Sequence, residues 1–426
     1  MRKMDKSVFV KHRNDFLEKA KEQSFALFFS GNPPHKTGDQ SYKYVPNRNF
    51  YYLSGIKREN MILLLVKGKN TTKEYLFIDE PSDYANKWLG RRLTKAETAE
   101  ISGIDELNIR FSQEFTDFIS QYVLTDSRKS VIGMPKACYL DLYHSQPLSK
   151  PVSLEKVDHI IKNYPEIKIK NANEILDLLR MKKTDEEIAL IEQAIEYTLS
   201  GIDAMMQNAK PGVNEHQLDA LFDFTIRLRN SEGIGFDSIV AGGKNATILH
   251  YEANNQEVES GKMILVDLGA MSGVYSADIS RTFPVDGRFT DRQKALYELV
   301  LSVNKRTMEL VKPGIMVADL NLFAKQEIAK GLQDLDIIKD LGEVDKYYYH
   351  NVSHYLGLDV HDVGSYQVPL EAGVVLTIEP GVYIEAEEIG IRIEDNVLVT
   401  KDGYRNLSEK IIKEVTDIEE LMKFNL

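Results

Sequence analysis

HNVSHYLGLDVHDVG (350–364), VVLTIEPGVYI (374–384) and IGIRIEDNVLV (389–399) set His350, His354, His361, Glu379 and Glu394 inside apolar, strand-like or tightly turned sequence. An unpaired carboxylate in such a run costs several kcal/mol or becomes neutral. Glu379 in VVLTIEPG and Glu394 in IRIED therefore need a positive partner. A salt bridge would satisfy either acid alone; a metal ion, with His354 as a third ligand, satisfies both.

The same pattern occurs upstream. AIEYTLSGIDAMMQNAKPGV is answered by LYELVLSVNKRTMELVKPGI, with Lys210 and Lys312, Ser200 and Ser302, and Met206 and Met308 all matching at one offset of 102 residues. Each copy opens on a capping box, Thr184 with Glu187 and Thr290 with Gln293. Ile188, Ile191, Ile195, Leu199 and Ile202 then form a helical apolar stripe. Each copy continues to a histidine and two acids: His250, Asp267 and Asp278 in the first, His361, Glu379 and Glu394 in the second. A duplicated helix–helix–sheet unit would gather both acid pairs about a pseudo-twofold axis. In MILVDLGAMSGVYSADISRTF, antiparallel strands joined through a turn at Gly273 bring Asp267 and Asp278 to one side of a sheet.

Further out, residues 7 to about 170 alternate between helix and strand. A helix is expected over 11–23, a strand at Phe25–Phe29, a loop at SGNPPHKTGDQ, and strands at FYYLSGI, MILLLVKG and EYLFIDEP. The fold class is α/β (α+β), with a mixed-sheet domain over 1–172 and a second domain over 173–426. Two domains suit 426 residues. The 43% hydrophobic and 28% charged residues suit a globular chain, and a net charge of −12 argues against nucleic acid as partner. Cys138 stands alone, which excludes an intrachain disulfide and a thiolate cluster, and it is expected to be packed and inert. No apolar run reaches the roughly 20 residues of a membrane span and MRKMDKSVFVKHRNDF lacks a signal core, so a cytoplasmic setting with no membrane partner is expected. Trp88, the only tryptophan, lies in NKWLGRR, either as a half-buried edge residue or as the wall of a binding site.

Four carboxylates and one imidazole form an oxygen-rich donor set suited to Mn²⁺, Co²⁺ or Fe²⁺. Two divalent ions about 3.5–4 Å apart balance four carboxylates and lower the pKa of a shared water towards about 7, which is hydrolytic chemistry. The set Asp267, Asp278, His354, Glu379 and Glu394, in VDLG, YSADISRTF, HYLGLDVHDVG, TIEPG and IRIED, resembles the pita-bread metallopeptidases, most of all the Xaa-Pro aminopeptidases. SYKYVPNRNFYYLSGI and KWLGRR are similar to their N-terminal domain.

The resemblance implies removal of an N-terminal residue that precedes proline, through a hydroxide bridging two divalent metals, most readily Mn²⁺, with Co²⁺ or Zn²⁺ possible. It implies Asp267 on one metal, His354 and Glu379 on the other, and Asp278 and Glu394 bridging. Glu379, His361 and His250 are the implied catalytic groups. His250, His350, His361, Arg392 and Trp88 are implied around the substrate, with Arg392 also orienting the ligating carboxylates and Trp88 reaching a neighbouring subunit of a homodimer or homotetramer. The short EAEE loop after EPGVYI departs from the family and leaves the rim of the site open. The rival expectations are a prolidase confined to Xaa-Pro dipeptides and a metal-free peptide-binding module.

Overall fold

The computed structural model describes residues 4–144 and 146–425, which form two compact units, divided between 179 and 180. In the first, Asp5 accepts the Ser7 N–H and so starts helix α1 (Lys6–Lys19) five residues ahead of the expected position. Strand β1 (Ser24–Phe29) follows. The expected loop contains a small hairpin, His35–Thr37 with Gln40–Ser41. FYYLSGI, expected as a strand, is instead largely helix α2 (Arg48–Ser54). Asn47 caps it by accepting the Phe50 N–H, and Gly55 closes it at φ 72°. Phe50, Tyr51, Tyr52 and Leu53 are all buried, so the inside–outside alternation that distinguishes a strand is missing from this run.

Strands β2 (Ile62–Lys67) and β3 (Thr72–Ile78), the surface helix α3 (Asp83–Leu89), and strands β4 (Ile109–Phe111), β5 (Ala137–Leu140) and β6 (Lys168–Asn171) follow. The six strands run in the order β4-β3-β2-β1-β5-β6, antiparallel at β1–β2 and β2–β3 and parallel elsewhere. Cys138 is buried in β5, where burial pushes its thiol well above the usual range. Trp88 on α3 is 74% exposed. Helix α4 (Asn173–Met181) begins in this unit because Asn173 donates to Asp141 and accepts from Asn49.

In the second unit Thr184 and Glu187 form the expected capping box of helix α5 (Asp185–Asn208), and Ile188, Ile191, Ile195 and Ile202 are buried along it. Helix α6 (Glu215–Leu228) follows. Strands β7 (Ile239–Gly242) and β8 (Met263–Leu268), the hairpin β9 (Met271–Ser272) and β10 (Tyr275–Ser276), and β11 (Ile279–Pro284) come next; the antiparallel sheet is ordered β7-β8-β11. The second copy repeats this plan. Helix α7 (Asp291–Glu309), capped by Thr290 with Gln293, precedes α8 (Val317–Asp334). Then come β12 (Val375–Ile378), the hairpin β13 (Gly381–Ile384) and β14 (Ile389–Arg392), β15 (Asp395–Val399) and β16 (Tyr404–Asn406), with the sheet ordered β12-β15-β16.

Candidate active site

The duplication places each acid at a strand end. Asp267 is the next-to-last residue of β8 and Glu379 follows β12, while Asp278 and Glu394 immediately precede β11 and β15. The hairpin turns through Gly273 at φ 69°. At Gly269 a Cβ would lie 1.8 Å from the Ala277 carbonyl oxygen. Only a glycine there lets the chain after Asp267 close on the chain before Asp278. The two halves are then tied across: Asn396 Oδ1 accepts the Asp278 N–H at 3.1 Å and its Nδ2 donates to the Asp278 carbonyl at 2.6 Å. Ser280 O accepts the Glu394 N–H at 3.0 Å.

A cavity of about 820 Å³ results. Its walls include His250, Asp267, Asp278, His350, His354, His361, Glu379, Arg392 and Glu394. Nine of the ten site residues picked out from sequence therefore converge on one cavity, and Trp88 stands in the other unit. Asp278, His354 and Glu394 each offer a donor atom within 4.8 Å of the others. His354 Nε2 lies 3.3 Å from Asp278 Oδ2 and 3.5 Å from Glu379 Oε1. The His354 and His361 rings meet edge to face at 4.4 Å.

The electrostatics of this cavity are unbalanced. Asp278 is held well above the usual carboxylate range by burial, then by Asp267 and Glu379. Glu394 is held above it by burial, then by Asp278 and Glu379. Burial pushes Glu379 up to about 7 against the pull of His354 and Arg392. Among the described residues, Asp267 Oδ1 and Glu394 Oε1 are buried acceptors without a hydrogen-bond donor. His354 Nδ1 contacts the Tyr355 carbonyl at 3.1 Å, so that nitrogen donates and the Nε2 lone pair faces carboxylate oxygens. Acceptors confronting acceptors in a buried site are unfavourable unless a cation lies between them. The donor set thus fits divalent metal.

Among the described residues that line the cavity the one arginine or lysine is Arg392, and it is already engaged. Arg392 donates to Asp267 Oδ2 at 2.6 Å, Ser280 Oγ at 2.8 Å and Tyr383 Oη at 3.0 Å. Ser280 in turn donates to Glu394 Oε2 at 2.9 Å. Arg392 thereby orients Asp267 directly and Glu394 through Ser280, and its guanidinium is occupied by protein. Tyr383 Oη lies 2.8 Å from His350 Nε2, whose Nδ1 contacts the Asn351 carbonyl. Both nitrogens of His350 are engaged, and burial with the nearby Arg392 lowers it to about 4, so it lines the cavity as neutral imidazole. His361 is also lowered, by burial and then by His354.

Ser280 and Tyr383 were missed in the sequence. Ser280 lies in a strand buried at every position, which the polar run Ser280, Arg281 and Thr282 does not announce in sequence. Asp237 and Glu252, exposed acids at the cavity wall, had no signal either.

Residues 189–401 match the profile of metallopeptidase family M24, and residues 9–132 match that of the aminopeptidase P N-terminal domain. The Xaa-Pro aminopeptidase of Haemophilus influenzae is 33% identical, covering 100% of this chain and 99% of its own length. A Bacillus anthracis structure described as a candidate aminopeptidase P matches with TM-score 0.95 at 42% identity, over 99% of each chain. Zn-substituted Escherichia coli aminopeptidase P in complex with product matches with TM-score 0.89 at 28% identity, over 100% of each. Fold and site define a metal-dependent exopeptidase with a pita-bread catalytic domain. The chain belongs to metallopeptidase family M24. The metal-free binding module expected as a rival is set aside accordingly.

Proposed function

We propose that this enzyme cleaves the bond between an N-terminal residue and a following proline, with two divalent ions, Mn²⁺ first among them, held by Asp267, Asp278, His354, Glu379 and Glu394. The observation that carries the proposal is the meeting of four acids and one imidazole in one cavity, where Asp267 Oδ1 and Glu394 Oε1 are buried without a donor among the described residues. When bound, the cations supply Lewis acidity and bring the pKa of a water into the neutral range. The protein supplies the remaining steps. Glu379 takes the proton of the attacking water on a carboxylate oxygen and returns it to the proline nitrogen as the bond breaks. His361 and His250, on the same wall, donate to the carbonyl oxygen as it gains charge. Arg392 and Ser280 keep Asp267 and Glu394 aimed inward.

A proline amide carries no N–H, so the scissile bond offers only its carbonyl as a hydrogen-bonding handle. A cavity furnished with imidazoles matches that requirement. Trp88, exposed on α3, is assigned to contact with the site of a second copy in a homodimer or homotetramer. One buried thiol and no disulfide suit the reducing cytoplasm. The test is a substrate panel with Mn²⁺ supplied: Xaa-Pro-Xaa tripeptides, Xaa-Pro dipeptides and Xaa-Ala-Xaa controls, beside a Glu379→Ala variant. Cleavage of the proline tripeptides by wild type alone is expected. Turnover confined to dipeptides, or retained in Glu379→Ala, would overturn the assignment.

A further inference from the structure

Glu215 opens helix α6 and is 0% exposed. Among the described residues no cation pairs with it; four donors fill its carboxylate instead. Oε1 accepts from the Gly242 N–H at 2.8 Å and from Asn245 Nδ2 at 2.9 Å. Oε2 accepts from Tyr251 Oη at 2.8 Å and from the Gln256 N–H at 2.9 Å. The start of a helix favours a negative group. All four donors belong to one segment, 242–256, which leaves β7 and carries Leu249, His250 and Glu252 to the cavity wall. His250 is exposed, and its imidazole makes no hydrogen bond among the described residues. Its place over the cavity is therefore set by the backbone that bears it, and that backbone is gripped at both ends and at the adjacent residue by Glu215.

We propose that Glu215 is the positioning residue of His250, acting at a distance by fixing the 242–256 segment; the catalytic consequence rests on the role given to His250 under Proposed function. Glu215→Gln keeps the shape but turns an amide NH₂ towards two donors, so two of the four bonds are lost. Hydrogen exchange of the 242–256 amides should quicken about tenfold or more, with β8 and β11 unchanged. With full metal content, kcat/KM on an Xaa-Pro-Xaa peptide should fall about tenfold or more. In a His250→Ala background the same change should cost less than about twofold, because no imidazole remains to be placed.

Unchanged exchange in 242–256 overturns the proposal, and so does a loss that multiplies undiminished on His250→Ala, which is what general damage to the site would give. A wild type that cleaves no Xaa-Pro peptide defeats the substrate assignment instead, and exchange alone then decides whether Glu215 holds the segment. Should Glu215→Gln fail to fold, Tyr251→Phe removes one bond beside His250. It should cost about threefold in kcat/KM, absent in His250→Ala; an equal cost in both backgrounds overturns the proposal.

Discussion

Asp362 and Asp278 are both buried carboxylates of the second unit, and their surroundings have opposite sign. Asp362 accepts from Arg180 at 2.5 Å and Lys183 at 3.1 Å, and these cations hold it below the usual carboxylate range despite burial. Asp278 has Asp267 and Glu379 for neighbours, and it is held well above that range. Asp395, one residue beyond Glu394, behaves like Asp362, because Arg281 and Lys413 pair with it and lower it. The chain pairs Asp362 and Asp395 with two cations each, whereas four converging acids share the single guanidinium of Arg392, which bonds only Asp267 among them. Divalent metal, as proposed for this site, supplies the charge that the cavity lacks.

The largest effect expected from this contrast is on stability. Asp362→Ala takes from buried Lys183 its carboxylate partner and from Arg180 one of its partners, and should lower unfolding free energy in denaturant by about 3–5 kcal/mol. Asp278→Asn, measured on chelator-treated protein, should leave stability unchanged or raise it, since it removes a carboxyl whose ionised form burial and the neighbouring acids disfavour. Equal losses in the two variants would break the comparison. Next, Mn²⁺ at a hundred times its dissociation constant should stabilise the wild type by about 2.7 kcal/mol, read as a rise in Tm. Asp278→Asn should lose most of that rise and nearly all turnover.

A smaller effect is expected at Ser280. Ser280→Ala frees one oxygen of Glu394 and one nitrogen of Arg392, and should cost about 10–100-fold in metal affinity or activity. Smallest per step is the response to pH, at most about 1.4 kcal/mol per pH unit for each proton. The folded value of Asp362 lies below its ordinary 3.8. Its contribution is complete above 3.8 and is lost as pH falls through the lower folded value. Glu379 is raised from 4.5 to about 7. In chelated protein its contribution is complete below 4.5 and is lost as pH rises through about 7. Saturating Mn²⁺ should reverse that second trend, because metal binds the deprotonated acids. Because His350, lowered from 6.5 to about 4, gives the opposite trend in this window, the reference is Glu379→Gln: a chelated wild type that loses no stability relative to that variant between pH 4.5 and 7 would contradict the charge deficit in the cavity.

Much of this was legible in the chain because burial of a charge leaves a local mark. Glu379 and Glu394 stand in apolar runs, and the order histidine, acid, acid after each repeated helix pair tied them to Asp267 and Asp278. The capping boxes at Thr184 and Thr290 were equally plain, since a cap is a contact between residues three apart. FYYLSGI misled because a short run that is apolar throughout has no period, and only Asn47 and Gly55, seen in place, mark it as a helix. Asp237 and Glu252 belong to the cavity through the path of the chain and nothing nearby announces them.

By itself the sequence determined that this chain is a duplicated α/β metallohydrolase, because an acid in an apolar strand is a cost visible within a few residues. The tertiary structure alone decided which nitrogen of His354 faces the acids, that Arg392 is engaged by Asp267, Ser280 and Tyr383, and that Glu215 grips the segment bearing His250. Those facts depend on donors and acceptors brought together from distant parts of the chain, and no local pattern encodes such meetings.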